Sequence, residues 1–267
     1  METHAFQELI YCHFRDNPRV LPWRDTSDPY RVMVSEIMLQ QTQVERVIPR
    51  YEAFLERFPT VATLARAPLA DVLAHWQGLG YNRRGLMLKR AAEEIMDRHG
   101  GSVPSDPADL ARLSGIGPYT AGAIASFAFG RPTPFIETNI RSVFIHCFFH
   151  DRTDVDDREI LPLVEQTMDR ERVRDWYNAL MDYGAMLKRT LPNPSRRSRH
   201  HSRQSPFRGS DREIRGEILR LLLATPGQSA DALIRHSNRD ETRVRTMLAA
   251  LEQEGLLQER DGGYWVG

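Results

Sequence analysis

The chain has little cysteine and no excess of charge. Cys12 and Cys147 are the only cysteines among 267 residues, too few for a disulfide framework or for a cysteine-rich zinc or iron–sulfur site. The 36 basic and 36 acidic side chains cancel, so any attraction to a polyanion must come from a local patch. These absences predict a protein of a reducing compartment without a metal centre.

Long hydrophobic runs are also lacking. The N-terminal segment "METHAFQELIYCHFRD" carries acids and no long apolar stretch, which excludes a signal peptide. The least polar segment, residues 113–130, contains a proline and several glycines and is too interrupted for a membrane span. We therefore expect a cytoplasmic protein that does not contact a membrane.

Helical periodicity dominates what is present, and almost nothing before residue 255 alternates like a strand. Residues 29–58 space their apolar positions at three and four, with a break expected at Pro49. The pattern recurs in residues 69–80, 83–101, 107–130, 158–168 and 173–187. The fold class predicted is all-α. Residues 188–210 are basic and lack acids, as expected of a linker that is either a solvated tether or a phosphate contact.

Residues 211–267 read as three helices followed by a hairpin that turns at Asp261-Gly262, the outline of a winged helix-turn-helix domain. Such a domain binds DNA or proteins. Arginines at the start of its presumed recognition helix, Arg239, Arg243 and Arg245, favour DNA.

The turn "LSGIGPYT" (113–120) joins two predicted helices. Its two glycines, Gly115 and Gly117, allow a tight turn and leave amide N–H groups free at the start of the next helix, where they can hold a phosphate. The alternative is an ordinary connection between helices.

Two glutamates stand in apolar surroundings. Glu36 lies in "VMVSEIMLQQT", and Glu137 lies about a hundred residues further on in "FIETNI". One protonated and one ionised carboxyl group are the usual machinery for cleaving a glycosidic bond. A helix-surface Glu36 and a buried structural Glu137 are the alternatives, and the sequence does not show that the two meet.

The motifs "SEIMLQQTQV", "WQGLGYNRRG", "LSGIGPYTAGAIASFAFG" and "WYNALMDYGAML" resemble the adenine DNA glycosylases of the MutY type, within the helix-hairpin-helix glycosylase superfamily. The resemblance covers roughly residues 8–187. It implies two helical subdomains with the active site in the cleft between them: a bundle of residues 1–20 and 131–187, and a six-helix barrel of residues 21–130 that carries the hairpin.

The resemblance also implies roles for single residues. Glu36 would protonate the departing adenine, with Glu137, Tyr119 and Asn139 completing the catalytic site. Tyr119 stands where relatives that also cut the strand have a Schiff-base lysine, so lyase activity is not expected. The base pocket and the contacts to the opposite base would involve Arg19, Leu21, Gln40, Gln41, Thr42 and Tyr81, and DNA phosphates would meet Gly115, Ile116, Gly117, Tyr119, Thr120, Arg196, Arg197 and Arg199.

Three departures from the family stand out. Glu137 replaces an aspartate, and its extra methylene shifts the carboxylate by about 1 Å or more, which can be costly in a preorganised site. The family's iron–sulfur cysteines, spaced C-x6-C-x2-C-x5-C, fall on Lys188, Ser195, Ser198 and Gln204, so neither a cluster nor another cofactor is expected. The family's C-terminal domain, which helps to recognise 8-oxoguanine, is replaced by the winged helix.

The sequence therefore predicts a monofunctional DNA glycosylase of base excision repair that acts on double-stranded DNA and removes a mispaired base, adenine opposite 8-oxoguanine or guanine. Two alternatives stay open. One is a thymine or uracil mismatch glycosylase, since Tyr119 is compatible with such relatives. The other is a non-catalytic DNA-binding protein in which the altered acid marks lost chemistry.

Overall fold

A computed structural model describes the whole chain, Met1–Gly267, and it is mainly helical. Fourteen α-helices and one 3-10 helix precede a two-stranded antiparallel sheet. The predicted all-α class is confirmed. No helix is long and apolar enough to span a bilayer.

The first compact unit comprises residues 1–36, 104–112 and 116–203. It contains α1 (Thr3–Asp16), α7 (Pro107–Leu110), α8 (Pro118–Phe129), α9 (Thr138–Phe148), α10 (Asp157–Thr167), α11 (Val173–Thr190) and the 3-10 helix Pro194–Arg197. Phe6 of α1 packs edge-on against Phe144, Phe148 and Trp176. This aromatic cluster ties the N-terminal helix to α9 and α11, because each ring buries a large apolar area.

The second unit comprises residues 37–103, 113–115 and 204–267. It contains α3 (Val44–Arg57), α4 (Val61–Arg66), α5 (Leu69–Trp76) and α6 (Arg83–His99), and also α12 (Asp211–Ala224), α13 (Ala230–Ser237) and α14 (Glu241–Gln253) with strands β1 (Leu257–Arg260) and β2 (Gly263–Val266). Phe54, Phe58 and Trp76 form its aromatic core. Helix α2 (Pro29–Leu39) begins in the first unit and ends in the second.

This division differs from the predicted subdomains. Residues 21–36 and 116–130 group with the bundle instead of the barrel, and residues 211–267 group with α3–α6 instead of standing alone. Helix α12 contacts α5 directly, so the C-terminal elements share a unit with the helices of residues 44–99.

The predicted break at Pro49 is wrong, because Pro49 lies inside α3. The break comes at Gln41, whose φ of 54° is left-handed. By contrast, the predicted hairpin turn at Asp261-Gly262 is found, with left-handed φ values of 51° and 75° that fit a tight two-residue turn.

Candidate active site

Glu36 lies on α2 and keeps only part of its surface exposed, between the buried Ser35 and Ile37. Burial, together with repulsion from the charge of Glu137, raises the pKa of Glu36 to about 8. No hydrogen bond stabilises its charged form. The carboxyl group is therefore protonated at neutral pH, as a general acid requires.

Glu137 caps the N-terminus of α9. Its Oε1 accepts hydrogen bonds from the backbone N–H of Asn139 at 2.6 Å and of Ile140 at 2.9 Å, and its Oε2 accepts one from the Asn139 side-chain amide at 3.3 Å. Burial raises the pKa of Glu137, while Lys188, these backbone donors and Arg141 act in the opposite direction. The longer side chain thus caps the helix as an aspartate would.

The two acids belong to one electrostatic site in the first unit, since the charge of Glu137 contributes to the raised pKa of Glu36. The two carboxyl groups differ in the hydrogen-bond donors and cations that surround them. Glu137 has three N–H donors and two nearby cations, and Glu36 has none of these. The donors and cations therefore favour the charged form of Glu137, whereas nothing comparable favours the charged form of Glu36. One acid and one carboxylate, each set by its environment, can perform glycosidic hydrolysis.

Asn139 supports this pair. Its Oδ1 is buried and has no hydrogen-bond partner, so it can accept a hydrogen bond from a ligand or a water molecule. Helix α11 packs on its backbone through Gly184, where a Cβ would lie 2.7 Å from the Asn139 Cβ. Sequence reasoning missed Gly184, although a glycine in the middle of a helix is a usable signal of close packing.

The hairpin has the predicted backbone. Gly115 has a left-handed φ of 76°, and a Cβ there would come 2.6 Å from the Met87 Cβ. Gly117 precedes α8 and provides no side-chain cap, and Pro118 follows it. Because a helix start leaves N–H groups without intrahelical partners, the first turn of α8 can bind an anion.

The remaining hairpin residues are placed as follows. Ile116 is 3% exposed and belongs to the core, whereas Tyr119 is 51% exposed on the first turn of α8. Thr120 is half-buried beside it. The Arg141 guanidinium interacts electrostatically with Glu137 and Tyr119. It also donates two hydrogen bonds, of 2.7 and 2.6 Å, to the carboxylate of Asp157. Arg141 was not predicted from the sequence.

Arg19 and Leu21, predicted to line the base pocket, have structural partners. Arg19 donates to the buried Asp182 at 3.3 Å, and Arg24 binds the same carboxylate at 2.7 and 2.8 Å. Leu21 is 7% exposed. Their role toward a base stays a prediction.

Gln41 and Tyr81, in the second unit, both have left-handed backbones, with φ values of 54° and 46°. Such conformations are strained for non-glycine residues and cluster at functional sites. The guanidinium of Arg84 binds the backbone that precedes each of these two residues. It donates to the carbonyl oxygens of Ile37 at 2.9 Å, Met38 at 3.0 Å and Gln40, and also to those of Leu79 at 3.3 Å and Gly80 at 3.1 Å.

Arg84 also donates to the hydroxyl of Thr42 at 2.9 Å. Burial lowers its pKa to about 10, and it remains charged at neutral pH. The role of Arg84 was not predicted from the sequence. Nothing distinguishes this arginine from the many others, although it binds the carbonyl oxygens at the end of helix α2.

The basic segment is only partly a linker. Helix α11 continues to Thr190, the 3-10 helix follows, and Ser195 and Ser198 are buried. Arg199 binds Asp154 and Asp156 at 2.7 and 3.0 Å. The predicted tether is therefore wrong for residues 188–199, because they form the end of α11 and a 3-10 helix with buried serines, and Arg199 is held in ion pairs.

The predicted phosphate contacts within this segment have different surroundings. Arg197 is half-buried and donates to the carbonyl oxygens of Ile145 at 3.3 Å and Arg152 at 3.5 Å. Arg199 is held in the ion pairs just described. Arg196 is exposed and makes no ion pair. Of the three, Arg196 is the one whose charge is available to a phosphate.

An iron–sulfur cluster does not fit the residues at the corresponding positions. Lys188 on α11 acts as a cation near Glu137, Ser195 and Ser198 are buried hydroxyls, and Gln204 donates to the Tyr81 hydroxyl. None is a thiolate, which such a cluster requires. Lys188 thus has a different use, because it favours the ionised form of Glu137.

The arginines that favoured DNA binding by residues 211–267 are engaged in ion pairs within this segment. Arg239 pairs with Glu213 and Glu217, Arg243 with Asp211, and Arg245 with Asp231 and Glu241. Such pairs reduce the positive charge that α14 presents to a ligand, so the structure does not favour this helix as a DNA-binding element.

Comparisons with known proteins agree with this fold. A profile of the HhH-GPD superfamily of base excision DNA repair proteins matches residues 34–166. Among solved structures, a thermostable thymine-DNA glycosylase superposes with a TM-score of 0.63 at 25% identity, over 69% of this chain and 86% of that one. An endonuclease III–DNA complex superposes with a TM-score of 0.58 at 17% identity, over 78% and 91%, which indicates a shared fold.

Curated relatives narrow the class. The adenine DNA glycosylase of Mycobacterium tuberculosis is 34% identical over 245 residues, covering 83% of this chain and 79% of that protein. Those of Buchnera aphidicola and Homo sapiens are 36% identical, each over 70% of this chain. The chain belongs to the adenine DNA glycosylase family of the HhH-GPD superfamily. It aligns with 54% of the Buchnera protein and 36% of the human one.

Proposed function

We propose that the protein is a monofunctional DNA glycosylase of base excision repair that hydrolyses the bond between deoxyribose and an adenine mispaired with 8-oxoguanine or guanine. The observation that carries the proposal is the pair of Glu36 and Glu137, in which Glu36 has a pKa raised to about 8 and the Glu137 carboxylate accepts three N–H hydrogen bonds. Family membership supports the substrate, because the curated relatives at 34–36% identity are named adenine DNA glycosylases.

The chemistry assigns one role to each acid. The target adenosine leaves the base stack, since its glycosidic bond is inaccessible inside a duplex. Glu36 gives its proton to a ring nitrogen of the adenine while the glycosidic electron pair moves onto the base. The Glu137 carboxylate stabilises the oxocarbenium-like sugar or attacks it, water then adds to C1′, and the proton of that water restores Glu36. The unpartnered Oδ1 of Asn139 accepts a hydrogen bond from that water or from the sugar.

Double-stranded DNA is the proposed partner. The uncapped first turn of α8, preceded by Gly115, Ile116 and Gly117, offers its N–H groups to a phosphate. Gln41 and Tyr81, with Gln40 and Thr42 beside them, would contact the base opposite the excised one. Their left-handed backbones, braced by Arg84, support a functional role for these segments.

Strand cleavage through an imine is not part of the proposal. Tyr119, at the start of α8, provides no amine, and a phenol cannot form a Schiff base with the sugar. Treatment with borohydride during the reaction should therefore trap no covalent complex. Trapping would contradict the monofunctional assignment, and Lys188 would then be the amine to replace first, because burial lowers its pKa and it lies near Glu137.

Base release from defined duplexes tests the function. Each duplex contains a single A·8-oxoguanine, A·G, T·G or U·G pair, and released base is measured for the wild type, Glu36→Gln, Glu137→Ala and the control Glu8→Gln, which changes an exposed glutamate of the same unit. We expect adenine release by the wild type and the control. Loss of the general acid should slow Glu36→Gln by about 100-fold to 10,000-fold.

Other outcomes would reject the proposal. Release of thymine or uracil without adenine would reassign the substrate to a pyrimidine mispaired with guanine. Tight binding of all duplexes without release of any base would identify a DNA-binding protein that lacks the reaction. Equal activity of Glu36→Gln and Glu8→Gln would remove Glu36 from the mechanism.

A further inference from the structure

Two residues from the C-terminal part of the chain hold the hydroxyl of Tyr81. Arg212, on the first turn of α12, donates from Nη1 to this oxygen at 2.8 Å. Gln204 donates to it from Nε2. Arg212 is itself fixed, because its Nη2 donates to the carbonyl oxygen of Ser205 at 2.6 Å. The contact therefore joins the winged-helix elements to the loop before α6, within one compact unit.

These two donors determine how the hydroxyl can bond. A phenol has one O–H donor and two acceptor lone pairs, and an arginine can only donate. The Gln204 amide is oriented with its Nε2 toward the Tyr81 hydroxyl, and the same nitrogen lies 3.5 Å from Oε1 of Gln41. With both lone pairs occupied, Tyr81 has only its proton to offer to a ligand.

The position of the Tyr81 ring is also constrained. The guanidinium groups of Arg212 and Arg84 lie 5.4 and 5.5 Å from the centre of the Tyr81 ring, within the range of a cation–π contact. Arg84 additionally bonds the carbonyl oxygens of Leu79 and Gly80 just before Tyr81. The ring and the backbone are both held, so the hydroxyl is preorganised.

There is room for a ligand beside it. Cavities of about 510 and 610 Å³ share Gln41, Tyr81 and Arg212 in their walls, and ligand pockets of about 300–1,000 Å³ accept small organic groups. Arg46 borders one cavity and Arg83 the other, and both are exposed. They place positive charge where a nucleotide phosphate would lie.

We propose that Gln204 and Arg212 are positioning residues that make Tyr81 an obligate hydrogen-bond donor toward the base opposite the excised nucleotide, so that the site selects a partner base with a carbonyl oxygen. The inference rests on the proposed function for the location of the opposite base. It gives the C-terminal domain a part in specificity that does not depend on the arginines of α14.

The test compares two opposite bases that differ in one carbonyl. Adenine is placed opposite guanine or opposite 2-aminopurine, which is guanine without its O6 oxygen, and single-turnover rates and dissociation constants are measured for both duplexes. The variants are Tyr81→Phe, the double variant Gln204→Ala with Arg212→Ala, and the conservative Arg212→Lys. Arg235→Ala, on the exposed surface of α13, is the matched control.

We expect the preference for guanine to fall by about 3-fold to 10-fold in Tyr81→Phe and in the double variant, the value of one hydrogen bond. Arg212→Lys should retain much of the preference, and Arg235→Ala should retain all of it. Melting temperatures identify variants that are merely destabilised. An equal loss against both opposite bases would overturn the inference, and tighter binding of every duplex by the double variant would show that the contact blocks the site.

Failure of the proposed function would give results that differ from failure of the donor role of Tyr81. If the wild type releases no adenine but binds the guanine duplex more tightly, and the variants lose this preference, the reaction is wrong and the donor role of Tyr81 stands. If the wild type binds both duplexes equally, the donor role is wrong whether or not adenine is released.

Discussion

Replacing Glu36 with glutamine should stabilise the folded protein above neutral pH while it slows base release by about 100-fold to 10,000-fold. Burial and the charge of Glu137 raise the pKa of Glu36 from 4.5 to about 8. In the unfolded chain the same group ionises near its ordinary pKa. Between pH 4.5 and 8 the unfolded state therefore releases a proton that the folded state retains, and stability falls as pH rises.

The magnitude follows from the two pKa values. A rise from 4.5 to about 8 corresponds to at most about 5 kcal/mol. Glu36 keeps part of its surface exposed, so solvent screening reduces the expected effect to about 1–3 kcal/mol. Glutamine has nearly the same shape and no charge. The contribution is present in full below pH 4.5 and is lost by pH 8, so the gain in Glu36→Gln should appear only at the higher pH.

Urea denaturation of the wild type, Glu36→Gln and Glu8→Gln at pH 5 and pH 8 measures this difference. We expect the free energies of unfolding of the three proteins to be similar at pH 5, and Glu36→Gln to exceed the other two at pH 8. A difference between Glu36→Gln and wild type that does not change with pH would refute the reasoning. It would mean that Glu36 is ionised in the folded protein and cannot be the general acid.

Three further predictions concern groups around the site. Lys188→Met should raise the pKa of Glu137, because it removes a nearby cation, so the acidic limb of the pH–rate profile should move to higher pH; an unmoved limb would exclude this electrostatic role. Gly184→Ala should lower stability by about 1–3 kcal/mol in urea denaturation and slow base release, because its Cβ would press on Asn139; unchanged stability and rate would contradict the packing argument. Arg196→Ala should reduce the salt slope of DNA binding by about one, whereas Arg199→Ala, which breaks internal ion pairs, should leave the slope unchanged; equal slopes for Arg196→Ala and the wild type would remove this phosphate contact.

Much of the local structure could be predicted from the sequence, because it depends on neighbouring residues. The hairpin at Asp261-Gly262 and the turn at Gly115 have backbone conformations that favour glycine or aspartate there, and the residue types reveal this. The predicted position of the break between α2 and α3 was wrong because the actual break depends on contacts between residues distant in sequence. Pro49 is the visible helix breaker, but the chain turns at Gln41, whose neighbours Gln40 and Thr42 accept hydrogen bonds from the distant Arg84.

The basic segment shows the limit of composition. Its arginines and its lack of acids predicted a linker that is either a solvated tether or a phosphate contact. Both interpretations followed from the charges of this segment alone. In the folded chain Arg199 binds Asp154 and Asp156, which are 45 and 43 residues away, so part of the charge of the segment is paired inside the protein. Partners at such separations leave no pattern in one sequence.

Hydrogen bonds at the start of α9 accommodate the extra methylene of Glu137. Because Glu137 is the residue that caps α9, its carboxylate is located by the N–H groups of Asn139 and Ile140, and the side chain folds back to reach them. An aspartate at a helix start binds the same donors with a shorter chain. The helix terminus, and not the length of the side chain, therefore fixes the position of the negative charge. The same donors oppose the effect of burial on the pKa of Glu137, and no such donor acts on Glu36, so one helix start gives the two acids different surroundings.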